Sequence, residues 1–455
     1  MRKKVLIISY YWPPAGGPGV QRWMKFAKYF PENGIEPTFF VPDKPNYPVY
    51  DYSLNNHIIK DLNIIRHPIF ELSSIFGNNK YLNNIRKGNV KNKINQSFFQ
   101  KMLFFLRGNL FIPDMKIFWR KTSVNFLKKY IIKNSIETII TTGPPHSIHL
   151  IGLDLKNKLN IKWIADFRDP WLKLNYLQRF HLLKYTKKIH KKYRDGVLNN
   201  ADAIITTSKK LKIYFDTISK NNFKVTNGYD YFRKDIKLDK QFSISHVGSI
   251  YPDRNPKILW LAIEKLCINI SGFINDLKLN FVGNVDQEFK NNLKSKIFAK
   301  CINYYGYVDY EKTIDYVCRS QLLLMIEVND IESSYAVPGK FYDYLNSNRP
   351  ILAIGPNNSE VSSILNKTNT GDFYNYKELA ENLAQASLDV DELSVNIIIN
   401  GLYMNGVPII DILDYVVDVS GHIVENQLHS NEISHADAYL SRNIMTRSID
   451  SLNRD

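Results

Sequence analysis

The chain contains two successive series of short, almost continuously apolar runs, separated by stretches with helical character. The first series comprises residues 5–10, 37–41, 63–66, 138–142, 162–166, 203–207 and 224–226, and the second comprises residues 243–247, 278–282, 303–305, 322–326 and 350–354. Runs without polar alternation are typical of parallel strands buried on both faces. Strands that alternate with helices, such as those expected at residues 256–270 and 309–320, predict βαβ units with right-handed crossovers. The predicted fold class is α/β with doubly wound parallel sheets.

The length of the chain and the position of the break between the two series predict two domains. A chain of 455 residues is too long for one hydrophobic core. The series meet near the turn NGYD at residues 227–230, so we predict Rossmann-like domains at residues 1–230 and 231–390, facing each other across a cleft. Residues 391–455 form an acidic tail: no lysine follows Lys377, and we have no physical account of this change.

The formal net charge of +16 is concentrated in the first half of the chain. Residues 77–135 carry thirteen Lys and Arg against one acid, and residues 173–194 carry eight more without any acid. Such a positive field attracts nucleic acid, anionic lipid headgroups or phosphorylated substrates.

A basic, aromatic-rich insertion at residues 81–133 interrupts the first domain. Basic residues interleaved with bulky aromatics are typical of an amphipathic element on an anionic membrane surface. A helical insertion with buried aromatics and solvated lysines explains the pattern equally well. Single-stranded nucleic-acid binding uses the same residue types, but we expect no nucleic-acid partner.

The sequence predicts a cytoplasmic protein that reaches the membrane only peripherally, on the inner face of the plasma membrane. No apolar run approaches the roughly 20 residues needed to span a bilayer, and the apolar start at residues 5–8 is not followed by a cleavage site. The three cysteines, Cys267, Cys301 and Cys318, are odd in number, which favours a reducing compartment and argues against a zinc site or a disulfide scaffold.

A glycine-rich segment, YWPPAGGPGVQR at residues 11–22, follows the first predicted strand. Such a loop brings backbone N–H groups to a helix N-terminus, where a phosphate can bind. The segment lacks the third glycine of a dinucleotide fingerprint and the Lys-Ser/Thr ending of a triphosphate loop. Gly16 and Gly17 are therefore candidate phosphate-binding residues, and an ordinary strand-to-helix turn is the alternative interpretation.

Two further polar segments follow strands of the first domain. These are TTGPPHSIH at residues 141–149 and ADFRDPW at residues 165–171. Because ligands of doubly wound sheets bind at the carboxyl ends of strands, His146, Asp166, Arg168 and Asp169 are expected at the rim of one crevice. Asp169 beside a guanidinium would stay ionised and could orient a sugar hydroxyl. The alternatives are a turn histidine bonded to backbone and a local Arg168–Asp169 ion pair.

The second domain carries the most informative motifs. The segment HVGSIYPDRNP at residues 246–256 ends a strand with Gly248 and places Arg254 near a helix start. In PGKFYDYL at residues 338–345, proline and glycine open a helix with Lys340 in its first turn and Asp343 one turn further along the same face. A cation at a helix N-terminus suits a diphosphate, and a carboxylate beside it can accept both hydroxyls of a ribose. An enzyme that releases a nucleoside diphosphate needs this combination.

Taken together, these motifs resemble family 4 of the glycosyltransferases, the retaining enzymes with the two-domain GT-B fold. The resemblance extends from Lys3 to about Tyr374, and ADAIITTS at residues 201–208 and RPILAIGP at residues 349–356 contribute to it. It resumes at YLSRNIMT, residues 439–446, which is similar to the family's closing helix. That helix, expected at about residues 432–455, crosses back onto the first domain.

The resemblance implies a role for each candidate residue. Gly16, Gly17 and Gly248 would approach the donor, Arg254 and Lys340 would bind its diphosphate, and Asp343 would bind its ribose. His146 would lie beside the reacting sugar. Together with Asp169, whose carboxylate could orient a sugar hydroxyl, it is a catalytic candidate. Asp166, Arg168 and Asn227 would line the cleft or contact the acceptor. The family commonly places a second glutamate eight positions before the ribose ligand; here that position is Tyr335, and Glu332 is out of register.

The predicted function is transfer of a sugar from a UDP- or GDP-sugar to a lipid-linked or saccharide acceptor, with retention of configuration. The expected setting is bacterial surface-polysaccharide synthesis, such as lipopolysaccharide or capsule. The donor is a substrate, and we expect neither a cofactor nor a metal ion. Two alternatives remain open: a nucleotide-sugar epimerase on the same architecture, and a non-catalytic partner subunit that keeps the fold.

Overall fold

The computed structural model describes residues 2–71, 98–172, 180–229, 236–251, 254–328 and 333–375, together with Val424 and Ser441. All strands of these residues belong to two parallel sheets, one for each series of apolar runs. The predicted α/β class with two Rossmann-like domains is therefore confirmed.

The first sheet has seven parallel strands in the order β3-β2-β1-β4-β5-β6-β7. The strands are β1 (Lys3–Ser9), β2 (Ile35–Asp43), β3 (Asn63–Pro68), β4 (Thr138–Gly143), β5 (Lys162–Phe167), β6 (Ala203–Thr206) and β7 (Asn222–Lys224). The helices of this part are α1 (Pro18–Tyr29), α2 (Phe98–Leu110), α3 (Trp119–Lys133), α4 (Ser147–Lys158), α5 (Lys184–Asn200) and α6 (Lys209–Asp216). Short 3-10 turns lie at Pro31–Asn33 and Tyr52–His57.

The second sheet has six parallel strands in the order β10-β9-β8-β11-β12-β13. The strands are β8 (Phe242–Val247), β9 (Leu277–Val282), β10 (Ile302–Gly306), β11 (Leu322–Ile326), β12 (Ile351–Ile354) and β13 (Gly371–Tyr374). The helices are α7 (Lys257–Asn269), α8 (Phe273–Asp276), α9 (Gln287–Lys294), α10 (Tyr310–Arg319), α11 (Gly339–Asn346) and α12 (Glu360–Thr368). Short 3-10 turns lie at Ile297–Cys301 and Ser333–Tyr335.

Hydrophobic cores cover both faces of each sheet, which explains why the strands read as unbroken apolar runs. In the first domain, Leu6 and Ile8 of β1 belong to one core while Val5 and Ile7 belong to the other. The second sheet also has a hydrophobic core on each face: Leu324 of β11 belongs to one core and the preceding Leu323 to the other. Successive strand residues point to opposite faces, so burial on both sides favours apolar residues at most positions of each strand.

Strand order reverses beside β1 in the first sheet and beside β8 in the second, because β1 lies between β2 and β4, and β8 between β9 and β11. Ligands of open parallel sheets bind outside the carboxyl ends of the strands at such a reversal. The loops after β1, β4, β8 and β11 are therefore the topologically favoured place for a site.

Several predictions concern segments that are only partly described. The boundary predicted at residue 230 lies outside the described residues, as do residues 81–97 of the basic insertion. Of the tail at residues 391–455, Val424 and Ser441 are described, and both are helical and fully buried. Ser441 falls within the predicted closing helix at about 432–455, whose other residues lie outside the described part. No helix of the described part is long and apolar enough to cross a membrane.

Candidate functional site

The loops at the carboxyl ends of the two sheets meet each other. Asp51 of the first domain accepts hydrogen bonds from the Tyr307 hydroxyl at 3.1 Å and from the Tyr310 backbone N–H at 3.2 Å, at the start of α10. A Cβ placed on Gly16 would lie 2.6 Å from the Tyr307 hydroxyl oxygen. The glycine-rich loop after β1 thus packs directly against the loop after β10, and a larger residue at position 16 would have to displace the Tyr307 hydroxyl.

Gly17 caps the N-terminus of α1 with a positive φ of 94° and without a side-chain hydrogen bond to the cap. A Cβ built there would meet nothing within 4 Å. This backbone conformation strongly favours glycine, and the space beside it leaves room for a group to approach the backbone. The structure thus places a helix N-terminus with free space at the reversal point of the first sheet.

His146 is a deeply buried aromatic packing residue in this structure. Only 4% of its surface is exposed, and its ring lies parallel to that of Trp171 at a centroid distance of 4.6 Å. Neither ring nitrogen has a hydrogen-bond partner among the described residues. Burial, and then the neighbouring His149 and His190, lower the pKa of His146 well below its ordinary value, so the ring is neutral at physiological pH.

Arg168 lies between the loop after β4 and the glycine-rich loop. Its guanidinium donates to the carbonyls of Gly143 at 3.2 Å and Pro144 at 2.6 Å, and its Cζ lies 6.0 Å from the Tyr11 ring centroid. The alternative interpretation, an ion pair with Asp169, is not observed in the described part of the chain. Burial raises the pKa of Asp169, opposed by the positive charge of Arg168.

Asp166 was expected at the rim of the crevice, but the structure places it underneath. Its side chain is fully buried and accepts hydrogen bonds from the Arg22 guanidinium, from Trp23 Nε1 at 2.8 Å and from Thr142 Oγ1 at 2.9 Å. The Arg22 Nη2 to Asp166 Oδ1 distance is 2.9 Å. A carboxylate with four donors around it and no exposed surface is a structural ion pair, so it does not line an open crevice in this conformation.

Asn227 belongs to the same network. Arg22 Nη1 donates to Asn227 Oδ1 and to the Thr226 carbonyl, both at 3.0 Å, and Arg22 Nη2 donates to the Val225 carbonyl at 2.9 Å. The sequence analysis included Arg22 in the glycine-rich motif but gave it no role. Its four described acceptor groups, the Asp166 carboxylate among them, show that it anchors the chain leaving β7 to the floor of the first domain.

In the second domain, Lys340 lies against the carboxyl end of β8. Its Nζ is 2.9 Å from His246 Nε2, and a Cβ built on Gly248, whose φ is +108°, would lie 3.4 Å from the same Nζ. Burial, and then the positive charge of Arg254, lower the pKa of Lys340 well below its ordinary value. Gly248 and Lys340, which the sequence analysis considered separately, therefore lie next to each other.

Arg254 shares this environment. Its positive charge contributes to the pKa shifts of Lys340, of His246 and of Glu327. Its Nη1 makes a long hydrogen bond of 3.4 Å to the Ser249 carbonyl, whereas its buried Nε has no partner among the described residues. Two cations thus lie close together at the reversal point of the second sheet, without a direct carboxylate partner in the described part. This arrangement favours an anionic ligand.

Asp343 points away from these cations. Its Oδ1 accepts a hydrogen bond of 2.9 Å from the Tyr310 hydroxyl and lies 3.7 Å from Lys25 Nζ of the first domain. The spacing of Lys340 and Asp343 on α11 predicted a shared face, but the two side chains have different partners. Lys340 contacts β8, whereas Asp343 lies at the contact between the domains.

Glu327 is a residue that the sequence analysis missed. It directly follows β11, is 6% exposed and accepts a hydrogen bond of 2.6 Å from Ser359 Oγ. Burial raises its pKa to about 7, opposed first by the Ser359 hydrogen bond and then by the positive charges of Arg254 and Lys340. Its position after an apolar run, at the carboxyl end of a strand, was the signal that could have identified it.

Tyr335, at the position where the family commonly has a glutamate, packs against the first domain. Its carbonyl accepts a hydrogen bond from Ser208 Oγ, and its ring lies 5.8 Å from that of Tyr214. This residue therefore joins the two domains. Within the described part of the chain, no group of three or more His, Cys, Asp or Glu side chains is arranged to hold a metal ion.

Solved structures that resemble this chain have the GT-B fold. The crystal structure of TarM, a protein of S. aureus, gives a TM-score of 0.54 with 12% identity, and the match covers 99% of this chain and 95% of that one. Sucrose-phosphate synthase from Thermosynechococcus elongatus gives a TM-score of 0.52 with 13% identity, covering 100% of this chain and 94% of that one.

A putative UDP-N-acetylglucosamine 2-epimerase from Listeria monocytogenes gives a TM-score of 0.49 with 12% identity, covering 95% of this chain and 98% of that one. No protein-family model and no curated protein sequence matches the chain. At these identities the comparisons define a fold: the chain is a two-domain protein of the GT-B type.

Proposed function

We propose that this protein is a retaining glycosyltransferase of the family 4 type, with a UDP- or GDP-sugar as donor and a lipid-linked or saccharide acceptor. The setting is bacterial surface-polysaccharide synthesis on the cytoplasmic side of the membrane. One observation carries the proposal: Lys340 and Arg254 lie together at the reversal point of the second sheet without a direct carboxylate partner in the described part. A diphosphate is the ligand that such a pair of cations suits best.

The same cations explain how bond cleavage at the donor sugar is assisted. Negative charge grows on the leaving diphosphate as the glycosidic bond breaks, and cations already in place stabilise that charge without reorganising. The N-terminus of α1 at Gly17 supplies backbone N–H groups from the opposite domain. Retention follows when the acceptor attacks from the face of the leaving group, with the diphosphate itself as base. In this mechanism no metal ion or cofactor takes part.

The first domain supplies the proposed catalytic pair. His146 is neutral, with both ring nitrogens unpartnered in the described part, so it can donate or accept a single hydrogen bond to the reacting sugar once the buried ring becomes accessible. The half-buried Asp169 carboxylate orients a hydroxyl. Arg168 holds the loop through the carbonyls of Gly143 and Pro144, and Asn227 holds the chain that leads to the second domain.

Asp343 is proposed as the ribose ligand, which requires its contacts to change. In the present structure its Oδ1 is occupied by Tyr310 and faces Lys25. A bound ribose would take the place of Lys25 on this carboxylate.

The non-catalytic alternative is favoured by a separate observation, the packing of Tyr335 on the first domain where a donor-sugar carboxylate was expected. Donor binding without turnover on any lipid-linked acceptor would support that alternative.

An anionic membrane is the proposed site of action. Four exposed apolar residues are spaced along α2 at one helical face: Met102, Phe105, Leu106 and Leu110. Five exposed lysines follow one face of α5: Lys184, Lys187, Lys188, Lys191 and Lys192. Asn109 joins the two helices, because its Oδ1 accepts from Thr186 Oγ1 at 2.7 Å and from the Leu183 N–H at 2.9 Å. Apolar anchors beside lysines are suited to an anionic bilayer surface.

Calorimetric titration with UDP, GDP and ADP tests the donor proposal. We expect the wild-type protein to bind one of them, and Lys340→Ala to bind it about ten- to a hundredfold more weakly, since a charge-assisted contact is lost. Lys367→Ala removes an exposed lysine of the same domain and should leave the affinity unchanged. Equal affinity of Lys340→Ala and the wild type would contradict the role of Lys340.

A further inference from the structure

A chain of three groups leads from the centre of the second sheet to the ammonium group of Lys340. The Leu324 carbonyl of β11 lies 3.0 Å from His246 Nδ1, and His246 Nε2 lies 2.9 Å from Lys340 Nζ. A carbonyl oxygen can only accept, so Nδ1 carries the imidazole proton and Nε2 presents a lone pair. The Leu324 carbonyl therefore fixes the tautomer in which His246 accepts a hydrogen bond from Lys340.

We propose that His246 is a positioning residue, which holds the Lys340 ammonium group beside Gly248 through a neutral acceptor, so that no negatively charged partner offsets the positive charge that an anionic ligand meets. A carboxylate at this place would hold the lysine equally well, but it would neutralise its charge. The inference rests on the proposed function, because it assigns a role to the residue that positions the diphosphate cation.

The surroundings of His246 keep it neutral. The side chain is 1% exposed, and burial, followed by the charges of Lys340 and Arg254, lowers its pKa well below the ordinary value. The charged and titratable groups acting on Lys340 are Arg254 and Glu327, and Arg254 acts more strongly. A hydrogen bond from the ammonium to a neutral acceptor stabilises the charged lysine. His246 therefore raises the pKa of Lys340, whereas burial and the charge of Arg254 lower it.

Two substitutions separate this role from a general packing role. His246→Leu removes the acceptor, whereas His246→Gln retains a neutral oxygen that can accept from Lys340. The nucleoside diphosphate bound by the wild type and the corresponding nucleoside are titrated against each variant. We expect His246→Leu to weaken diphosphate binding on the order of tenfold, with unchanged nucleoside affinity, and His246→Gln to stay within about threefold of the wild type.

The pH profile gives a second measurement that loss of packing alone would not change. Without the acceptor the pKa of Lys340 falls further, so the pH above which diphosphate affinity declines should move lower in His246→Leu and stay in place in His246→Gln. Equal losses in both variants, or a parallel loss of nucleoside affinity, would overturn the proposal. Absence of any diphosphate binding by the wild type would instead refute the proposed function.

A spectroscopic measurement covers the case in which His246→Leu does not fold. Histidine labelled with ¹⁵N in the wild-type protein, with the His246 signals assigned by their absence from His246→Gln, reports the tautomer. We expect a neutral imidazole with the proton on Nδ1 across pH 6 to 8, because the lone pair that faces Lys340 must be on Nε2. A proton on Nε2, or an imidazolium in this range, would overturn the proposal.

Discussion

Lys25 Nζ of the first domain lies 3.7 Å from Asp343 Oδ1 of the second, and the Tyr310 hydroxyl contacts both, at 3.3 Å from Lys25 and 2.9 Å from Asp343. Both charged side chains are 11% exposed. The carboxylate proposed to bind ribose therefore already has a cationic partner, which comes from the other domain. Under the proposed function, binding of the donor ribose and contact between the domains would compete for the Asp343 carboxylate.

Lys25→Met should strengthen nucleoside diphosphate binding by about two- to fivefold, because a part-buried ion pair of roughly 0.5–1 kcal/mol no longer competes with the ribose. Calorimetry with the ribonucleotide and its 2′-deoxy analogue provides the measurement. The gain should be smaller for the deoxy compound, which offers Asp343 one hydroxyl fewer. Weaker binding of both nucleotides would show that Lys25 itself contacts the donor.

Asp166→Asn should destabilise the first domain by about 3–5 kcal/mol, since the substitution leaves the buried Arg22 charge uncompensated. The Arg22 and Asp166 side chains are 1% and 0% exposed. Urea unfolding measures the loss. Lys212→Met breaks an exposed pair with Asp216, whose side chains are 36% and 38% exposed, and should change stability by less than about 1 kcal/mol. Similar effects of the two substitutions would contradict the structural importance of Asp166.

Binding of a nucleoside diphosphate should be accompanied by proton uptake. Burial and Arg254 lower the pKa of Lys340 in the empty site, whereas a bound diphosphate favours the charged ammonium and raises it. Affinity should therefore fall as pH rises through the depressed pKa of Lys340. Titrations in buffers of different ionisation enthalpy measure the protons taken up, and Lys340→Met should abolish this contribution. An uptake that persists in Lys340→Met would assign it to another group, such as Glu327.

The stability of the first domain should fall as the pH decreases below about 6.5, which is the ordinary pKa of a histidine side chain. Burial lowers the pKa of His149 to about 3 and that of His190 to about 4. The unfolded chain binds protons on these residues at a pH where the folded domain does not, so stability increases with pH through this window and levels off above it. His149→Phe should show a shallower decline between pH 6.5 and 4 in thermal unfolding; an unchanged slope would contradict this assignment.

Association with anionic vesicles should depend on the lysine face of α5. We replace Lys187, Lys188, Lys191 and Lys192 by glutamine and measure pelleting with phosphatidylserine vesicles. The free energy of vesicle binding should become less favourable by about 1 kcal/mol for each lysine near the surface. Lys300→Gln/Lys367→Gln changes exposed lysines of the second domain and serves as the control. Binding of equal strength to neutral vesicles would exclude an electrostatic origin.

The two sheets could be predicted because burial on both faces makes the strands apolar at successive positions. The twelve predicted strands all overlap observed ones, and within the described residues one further strand, Gly371–Tyr374, was not predicted. All four of its residues are only partly buried, so the segment has no apolar run to detect. Sheet order likewise depends on pairings between distant segments, which one sequence does not display.

The sequence motifs indicated candidate residues for the site, but they did not indicate which side chains contact each other. Gly248 was singled out because it follows the end of a strand, where parallel sheets bind ligands, and Arg254 and Lys340 because each stands near the start of a helix. The burial of Asp166 could not be foreseen, because its partner Arg22 lies 144 positions away in the sequence. For the same reason the attraction between Lys25 and Asp343 is visible only in three dimensions.

The anchoring of the interdomain chain by Arg22 has a mechanical consequence. Arg22 holds the carbonyls of Val225 and Thr226 and the side chain of Asn227, and is itself fixed to Asp166. The backbone up to this point therefore moves as part of the first domain. If the proposed donor exchange involves a rotation between the two domains, residues 225–227 should therefore keep their place on the first domain while it occurs.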